Sequence, residues 1–586
     1  MPLLKPVLPD VPAEDYLRLP LRERLRIGAQ FWADQGFGTP RYVHLIYILK
    51  VTVWYAGGGL LLIALTTDVG SVWHFADWWR EPIVYPRVMA WTCLLEVLGI
   101  GGAWGPLCAR FTPFTGGARY WLRTGTVRVA PWRLPGTGGD RREPLDVALY
   151  AALLASLVLA LVWRPAGDGL PPAWVMLLPV VLLAANGLRD SIVFLAARGE
   201  QYAPALVLAG ILGPTDMVIA GKVLIVTVWL GAGSSKFGRH FVNVVPPMVS
   251  NAPFVPGVAL RRLHYRGAPD DLRPSGLSWF LAHVGGTCVE IITPLVLLFT
   301  TNATVALVAA CLMVAFHTFI TLTFPLAVPL EWNVAFGFLA VYLFVGHGAG
   351  DGYSVADFSH PWALVLIAAC LLTFPVLGNL RPDLVSFLPS MRQYAGNWAS
   401  AVWAFAPGAE AKLERLDLPV QLMTPQLCKL LKYDEPTAEQ AMSLITAWRS
   451  MHSQGRGLYS LLLDRLPDID TRTIREGEFM SNLVRGWNFG DGHLHDERMV
   501  AAVQARAGFE PGEAVVVYVE SQAIHQSFQR YRVIDAARGV VERGTWEVAD
   551  AVREQPWLPN GPIPLTVTWL PPEVDPVETA TAPGVG

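Results

Sequence analysis

Ten apolar stretches occupy most of the first 380 residues, at 43–66, 87–107, 145–163, 172–196, 200–213, 216–235, 277–300, 303–326, 331–348 and 361–380. Most approach the roughly 20 residues that a helix needs to cross the hydrocarbon of a bilayer. The stretch 172–196 is interrupted by Asn186, Arg189 and Asp190, and 200–213 is short. Those two are expected either as two spans or as one broken hairpin. Beyond 380 the pattern becomes mixed. TAEQAMSLITAWRSMH (437–452) has helical apolar spacing, and DERMVAAVQARAG (496–508) reads as a helix ended by Gly508. EAVVVYVES (513–521) and SFQRYRVIDAA (527–537) read as strands, with a short helix near 546–554.

Composition agrees with this division. Charged residues make up 16% of the 586-residue chain, against about 25% in a soluble domain. Residues 381–586 hold 26 acids and 19 bases, and the first 380 hold 22 acids and 26 bases. A disordered chain is excluded, and a purely soluble enzyme is disfavoured. A net charge of −3 gives no field to attract nucleic acid. Six scattered cysteines without a CxxC pair argue against structural zinc or a disulfide framework.

Basic residues gather in three segments: Lys5 to Arg41, Arg110 to Arg142, and Lys236 to Arg273. Lys and Arg accumulate on the cytoplasmic side of spans, and ten spans with both termini cytoplasmic place all three segments there. No cleavable signal peptide is visible. The expected fold is an all-α polytopic membrane bundle of eight to ten transmembrane helices with a small C-terminal cytoplasmic α/β domain. Its parts are an N-terminal interfacial helix in 1–41, the bundle at 42–380, a connecting segment at 381–419, the domain at 420–571 and a disordered tail at 572–586. Leu21, Leu25 and Trp32 share one face of the N-terminal helix, which suits either the membrane interface or packing on the C-terminal domain. Trp73, Trp78, Trp79, Trp121 and Trp132 are expected in aromatic belts.

Residues 241–260 carry no charge and contain Pro246, Pro247, Pro253 and Pro256, which forbid a regular helix. With basic flanks on both sides, the segment reads as a re-entrant or interfacial loop. Ionisable groups within the apolar stretches are expensive and mark candidate sites. They are Glu96, His283, Glu290 and His317, taken as candidate acid/base groups. His283 and Glu290, seven apart, would share a helical face and could exchange a proton or form a structural pair. Lys236, Arg239 and His240 with Asn243 and Asn251 are candidate ligands for a lipid head group. Lys222 reads as a snorkelling lysine or a buried base. In the tail, Asp491, His493 and His495 are weak metal candidates, and no phosphate-binding glycine loop occurs.

The segments FWADQGFGTPRYVHLIYILK, GSSKFGRHFVNVVPPMVSNAPF, GWNFGDGHLHDERMVAAVQARAGF and VYVESQAIHQSFQRYRVIDA resemble a bacterial family of functionally uncharacterised transmembrane proteins, common in actinobacteria. The resemblance spans nearly the whole chain and implies a multi-pass protein of the bacterial plasma membrane, without catalytic residues to carry over. HTFITLTFPLAVPLEWNVAFGFL and KFGRHF are more distantly similar to the membrane module of vitamin K-dependent carboxylases, which implies quinone or isoprenoid chemistry. The function expected from these readings is an integral-membrane enzyme acting on a lipid, isoprenoid or quinone substrate. A transporter or channel using the same groups, or a membrane scaffold whose tail recruits a cytoplasmic protein, are the alternatives. Membrane lipids are the expected partners, nucleic acid is not, and the cofactor is left open.

Overall fold

The computed structural model describes residues 4–100, 117–164, 169–323, 332–392, 395–486 and 496–572. Each of the ten apolar stretches contains a helix. Six helices are long and apolar enough to cross a membrane: Arg41–Thr66, Pro144–Val162, Pro214–Phe237, Gly276–Phe299, Ala303–Thr323 and Pro361–Leu380. A seventh span forms if Trp332–Gly346 and Ala349–Asp357, bent by 49°, are counted together. Among the described residues the count by length is therefore six or seven, below the eight to ten expected. Val84–Leu98, Ala173–Arg189 and Gly199–Ile211 fall short at 15, 17 and 13 residues.

Local chemistry accounts for the short helices. Gly99, with φ +73°, caps the end of Val84–Leu98 in the left-handed conformation that glycine adopts without a Cβ penalty. Asp190 ends Ala173–Arg189 and caps the turn-and-a-half Ser191–Ala196. Arg198, at φ +54°, then opens Gly199–Ile211, which folds back against Ala173–Arg189. The region 172–213 is thus a broken hairpin. Three helices also widen into π-helical turns, at Thr52–Gly57, Leu281–Cys288 and Tyr342–Gly346.

After residue 395 the chain builds a six-stranded antiparallel sheet. Its order is Thr473–Glu476, Ser400–Phe405, Ala514–Val519, Phe528–Asp535, Gly539–Glu547, Thr566–Trp569. An antiparallel ladder with helices packed on it is an α+β arrangement rather than the α/β one expected. Ser400–Phe405 is a central strand buried along its whole length, so the domain reaches into the expected connecting segment 381–419. The helices at 437–452 and 496–508 appear as Glu435–Met451 and Glu497–Ala507, the latter closed by Gly508 at φ +63°.

All three basic segments meet this domain. Leu21–Gln35 lays Leu21, Leu25, Ala29 and Trp32 against Glu435–Met451, and the packing is close enough that a Cβ at Gly28 would fall 2.6 Å from that of Ala447. In the second segment the Tyr120 hydroxyl donates to the Val484 carbonyl at 2.7 Å. Trp121 is fully buried, its indole N–H reaching the Arg485 carbonyl at 3.3 Å, and so stands in this contact rather than in an aromatic belt. Arg142 is buried and ion-paired to Asp190 at 2.5 Å, and Arg485 pairs with the other oxygen of the same carboxylate. In the third, Val245–Asn251 is a short helix against Leu21–Gln35, where Trp32 Nε1 donates to the Pro247 carbonyl at 2.9 Å. Residues of the bundle and of the domain belong to one continuous apolar core.

Candidate functional site within the bundle

Pro214–Phe237 ends in a glycine-rich turn, GAGSSKF, against Gly276–Phe299. A Cβ at Gly233 would meet Ile291 at 2.8 Å and Glu290 at 3.1 Å, so the missing side chain is what lets the two helices touch. That approach brings Lys236 Nζ onto Glu290 Oε2 as an ion pair with each side chain 5% exposed. The ammonium also lies 5.0 Å from the Phe241 ring centroid and 5.8 Å from that of Phe316, within cation–π range. A buried pair of this kind is held against a large desolvation cost.

His317 follows Phe316 on Ala303–Thr323. Trp229 Nε1 donates to its Nε2 at 3.0 Å, so the proton of a neutral ring sits on Nδ1, which lies 2.7 Å from Asn333 Oδ1. Both ring nitrogens are in use, and His317 acts as a fixed link between three helices. His283 does not join Glu290. The π turn Leu281–Cys288 separates them, and its wider winding carries His283 off the face that an α-helix would have given it. It lies half-buried beside Trp279, with ring centroids 5.1 Å apart. Glu96 belongs to a different place, fully buried and accepting the Tyr55 hydroxyl at 2.9 Å.

The expected head-group ligands also divide. Lys236 is taken by Glu290, and Arg239 is exposed. Asn243 is buried, with Nδ2 donating to the Arg239 carbonyl at 3.4 Å. Asn251 Oδ1 accepts from the Phe37 amide at 3.1 Å and so fixes the end of the N-terminal helix. Lys222 donates to the Tyr353 carbonyl and lies over the Phe344 and Tyr353 rings, a capped cation with no open partner role. The candidates Asp491, His493 and His495 lie outside the described residues, among which no group of three or more His, Cys, Asp or Glu is placed to hold a metal.

His240 sits where the bundle meets the domain. The Ser453 hydroxyl and Gln522 Oε1 each lie 2.7 Å from one of its ring nitrogens. The Gln522 amide N–H is spent on the Gln526 carbonyl, so Gln522 accepts from Nε2–H and Ser453 donates to Nδ1. Burial pushes the imidazole down to about 4. The unfolded chain therefore binds its proton near pH 6.5 and the folded chain does not. The stability that His240 supports is complete above about pH 6.5 and falls as the pH drops toward 4, by about 3 kcal/mol over the window. Unfolding measured from pH 7 to 4 should show this loss, and His240→Asn should flatten the slope.

Sequence reasoning passed over a second polar cluster. Arg198 is fully buried, 4.4 Å above the Trp332 ring and 3.0 Å from Glu200, with Gln201 and Tyr202 buried beside them. The run RGEQY at the head of an apolar stretch was the available signal.

An apolar groove of about 420 Å³ runs between Pro214–Phe237, Gly276–Phe299 and Pro361–Leu380. Ser234 and Phe237 line it on one side and Ile291 on another, and Phe237 and Ile291 are the sequence neighbours of Lys236 and Glu290. Leu372 and Val376 form the third side, and Ile524 of the domain closes one end. The family of transmembrane proteins of unknown function DUF3556 matches residues 1–568.

The chain belongs to this family.

This DUF3556 member is accordingly a multi-pass membrane protein. No curated protein and no solved structure matches the chain.

Proposed function

We propose that the protein binds a lipid or isoprenoid amphiphile along this groove and exchanges a proton with it through the Lys236–Glu290 pair. The setting is the bacterial plasma membrane, with both termini and the C-terminal domain on the cytoplasmic side. One observation carries the reading: the buried acid–base pair Lys236 and Glu290 adjoins in sequence Phe237 and Ile291, which line an apolar groove. In a low-dielectric site such a pair holds a proton that small changes of environment can transfer. The His317–Asn333–Trp229 links hold the neighbouring helices in register.

The test compares wild type with the double variant Lys236→Met, Glu290→Leu, both purified from native membranes and matched for thermal stability. Bound small molecules are measured by mass spectrometry. Wild type should retain a specific amphiphile above bulk phospholipid, and the double variant should lose it or carry it in a chemically different form. Identical bulk phospholipid in both would overturn the reading.

A further inference from the structure

Between the short helix Val245–Asn251 and the span Gly276–Phe299 the chain exposes three large apolar side chains. Phe254 is 49% exposed, Leu260 46% and Leu263 55%. The buried Arg261 pins this loop from behind, donating to the Asp34 carbonyl at 2.6 Å and to the Ala252 and Val255 carbonyls at 3.3 Å each. Arg262 adds a two-bond pair with the Asp34 carboxylate, at 2.8 and 2.7 Å. Both arginines of the five-residue helix Val258–Arg262 are thus spent inward, while Phe254, Leu260 and Leu263 are held outward. Three such side chains within residues 254–263, followed by the exposed Leu277 and Phe280 of the span, exceed the scatter of a water-facing surface.

Hydrogen bonds give the loop its depth. Ser275, which caps the span, donates its hydroxyl to the Leu263 carbonyl at 2.6 Å and its amide to the His264 carbonyl at 3.0 Å. The Ser278 hydroxyl donates to the same His264 carbonyl at 2.8 Å. Leu263 therefore lies level with the first turn of Gly276–Phe299. That span has 24 residues, about 36 Å of helix against a hydrocarbon core of about 30 Å. Its first turn falls at the head-group boundary, the level at which an exposed tryptophan such as Trp279 is favoured. A second span begins close by, since Arg41, the first residue of Arg41–Thr66, lies near enough to Arg261 for their charges to repel.

We infer that residues 254–263 form a membrane wedge, in which Phe254, Leu260 and Leu263 enter the outermost hydrocarbon of the leaflet where these two spans begin. The partner is the lipid surface, because the patch is bonded to the start of a spanning helix and runs on into Leu277 and Phe280. The exposed Arg41 and Arg266 suit the phosphates of that surface. Val245–Asn251 is buried in protein, so only the second half of the charge-free segment reaches lipid. On the other side of the wedge, the Leu272 amide donates to Gln555 at 3.1 Å and Gln555 donates to Asp271 at 2.9 Å. The wedge thereby also sets the height of the C-terminal domain above the leaflet.

The full-length protein is placed in nanodiscs of phosphatidylcholine and phosphatidylglycerol, with the fluorescent residue dansylalanine at position 254, 260 or 263. Quenching is compared among lipids carrying a doxyl group near the top of the acyl chain, lipids carrying it near the chain end, and iodide in the water. Position 270, exposed between the strands Tyr265–Gly267 and Asp271–Pro274, is the water-facing reference. The three wedge probes should lose most of their emission to the shallow doxyl lipid and little to iodide, and the reference should do the reverse. Strong iodide quenching at the wedge sites would overturn the inference. Quenching by no agent would overturn it as well, because protein would then cover the patch, and stronger quenching from the chain end would place the loop too deep. All three sites are exposed, so each probe can be accepted without repacking, and an unfolding temperature equal to that of wild type confirms it.

Discussion

Lys236→Met is expected to destabilise the protein by about 3–5 kcal/mol, because it leaves the Glu290 carboxylate buried and unpaired. Methionine keeps the length of the lysine stem and still packs against Phe241 and Phe316, so the loss reports the charge rather than a cavity. Glu290→Leu should cost a similar amount, by stranding the ammonium. The double variant should recover to within about 1 kcal/mol of wild type, since exchanging a buried pair for apolar groups is often neutral or better. Reversible unfolding in mixed micelles, arranged as a double-mutant cycle, measures the coupling. Additive single effects would show that the two groups do not depend on each other.

Asp190→Ala should be of comparable size, about 3–5 kcal/mol, and should act at a different place. One carboxylate there faces two buried guanidinium groups, Arg142 from the bundle and Arg485 from the C-terminal domain. Removing it sets two buried cations against each other and also deletes the cap on Ser191–Ala196. The domain should consequently loosen from the bundle. Hydrogen exchange should then rise together in 118–122 and 477–486, where Tyr120 and Trp121 contact the Val484 and Arg485 carbonyls. Protection that stays at the wild-type level in both segments would mean that the junction is held by other contacts.

The positions of the helices were readable because apolar runs of bilayer length have few other fates. Their lengths were less so. Gly99, Asp190 and Arg198 end or open helices within runs that hydropathy alone extends. The pairing of Glu290 with His283 assumed an unbroken α-helix, and the π turn between them invalidates the phase. Its actual partner, Lys236, lies 54 residues away on another helix, and no spacing rule connects them. Lys236 drew attention for a different reason, as the flank of a charge-free proline-rich segment. Ser400–Phe405 stayed hidden because a strand buried on both faces shows no alternation. The basic loops were legible as a group, yet Arg128 and Arg142 turn out to be buried in ion pairs with Asp146 and Asp190.

The packing of Leu21–Gln35 on Glu435–Met451 sets an order of events during synthesis. About 400 residues separate the two helices along the chain. At roughly 5–20 residues per second, the earlier helix waits on the order of 20–80 s for its partner. Val245–Asn251 reaches it sooner and covers Trp32 by way of the Pro247 carbonyl, but Leu21 and Leu25 remain uncovered until the domain is made. A chain stopped before Glu435 should therefore expose an apolar stripe that the full-length chain covers.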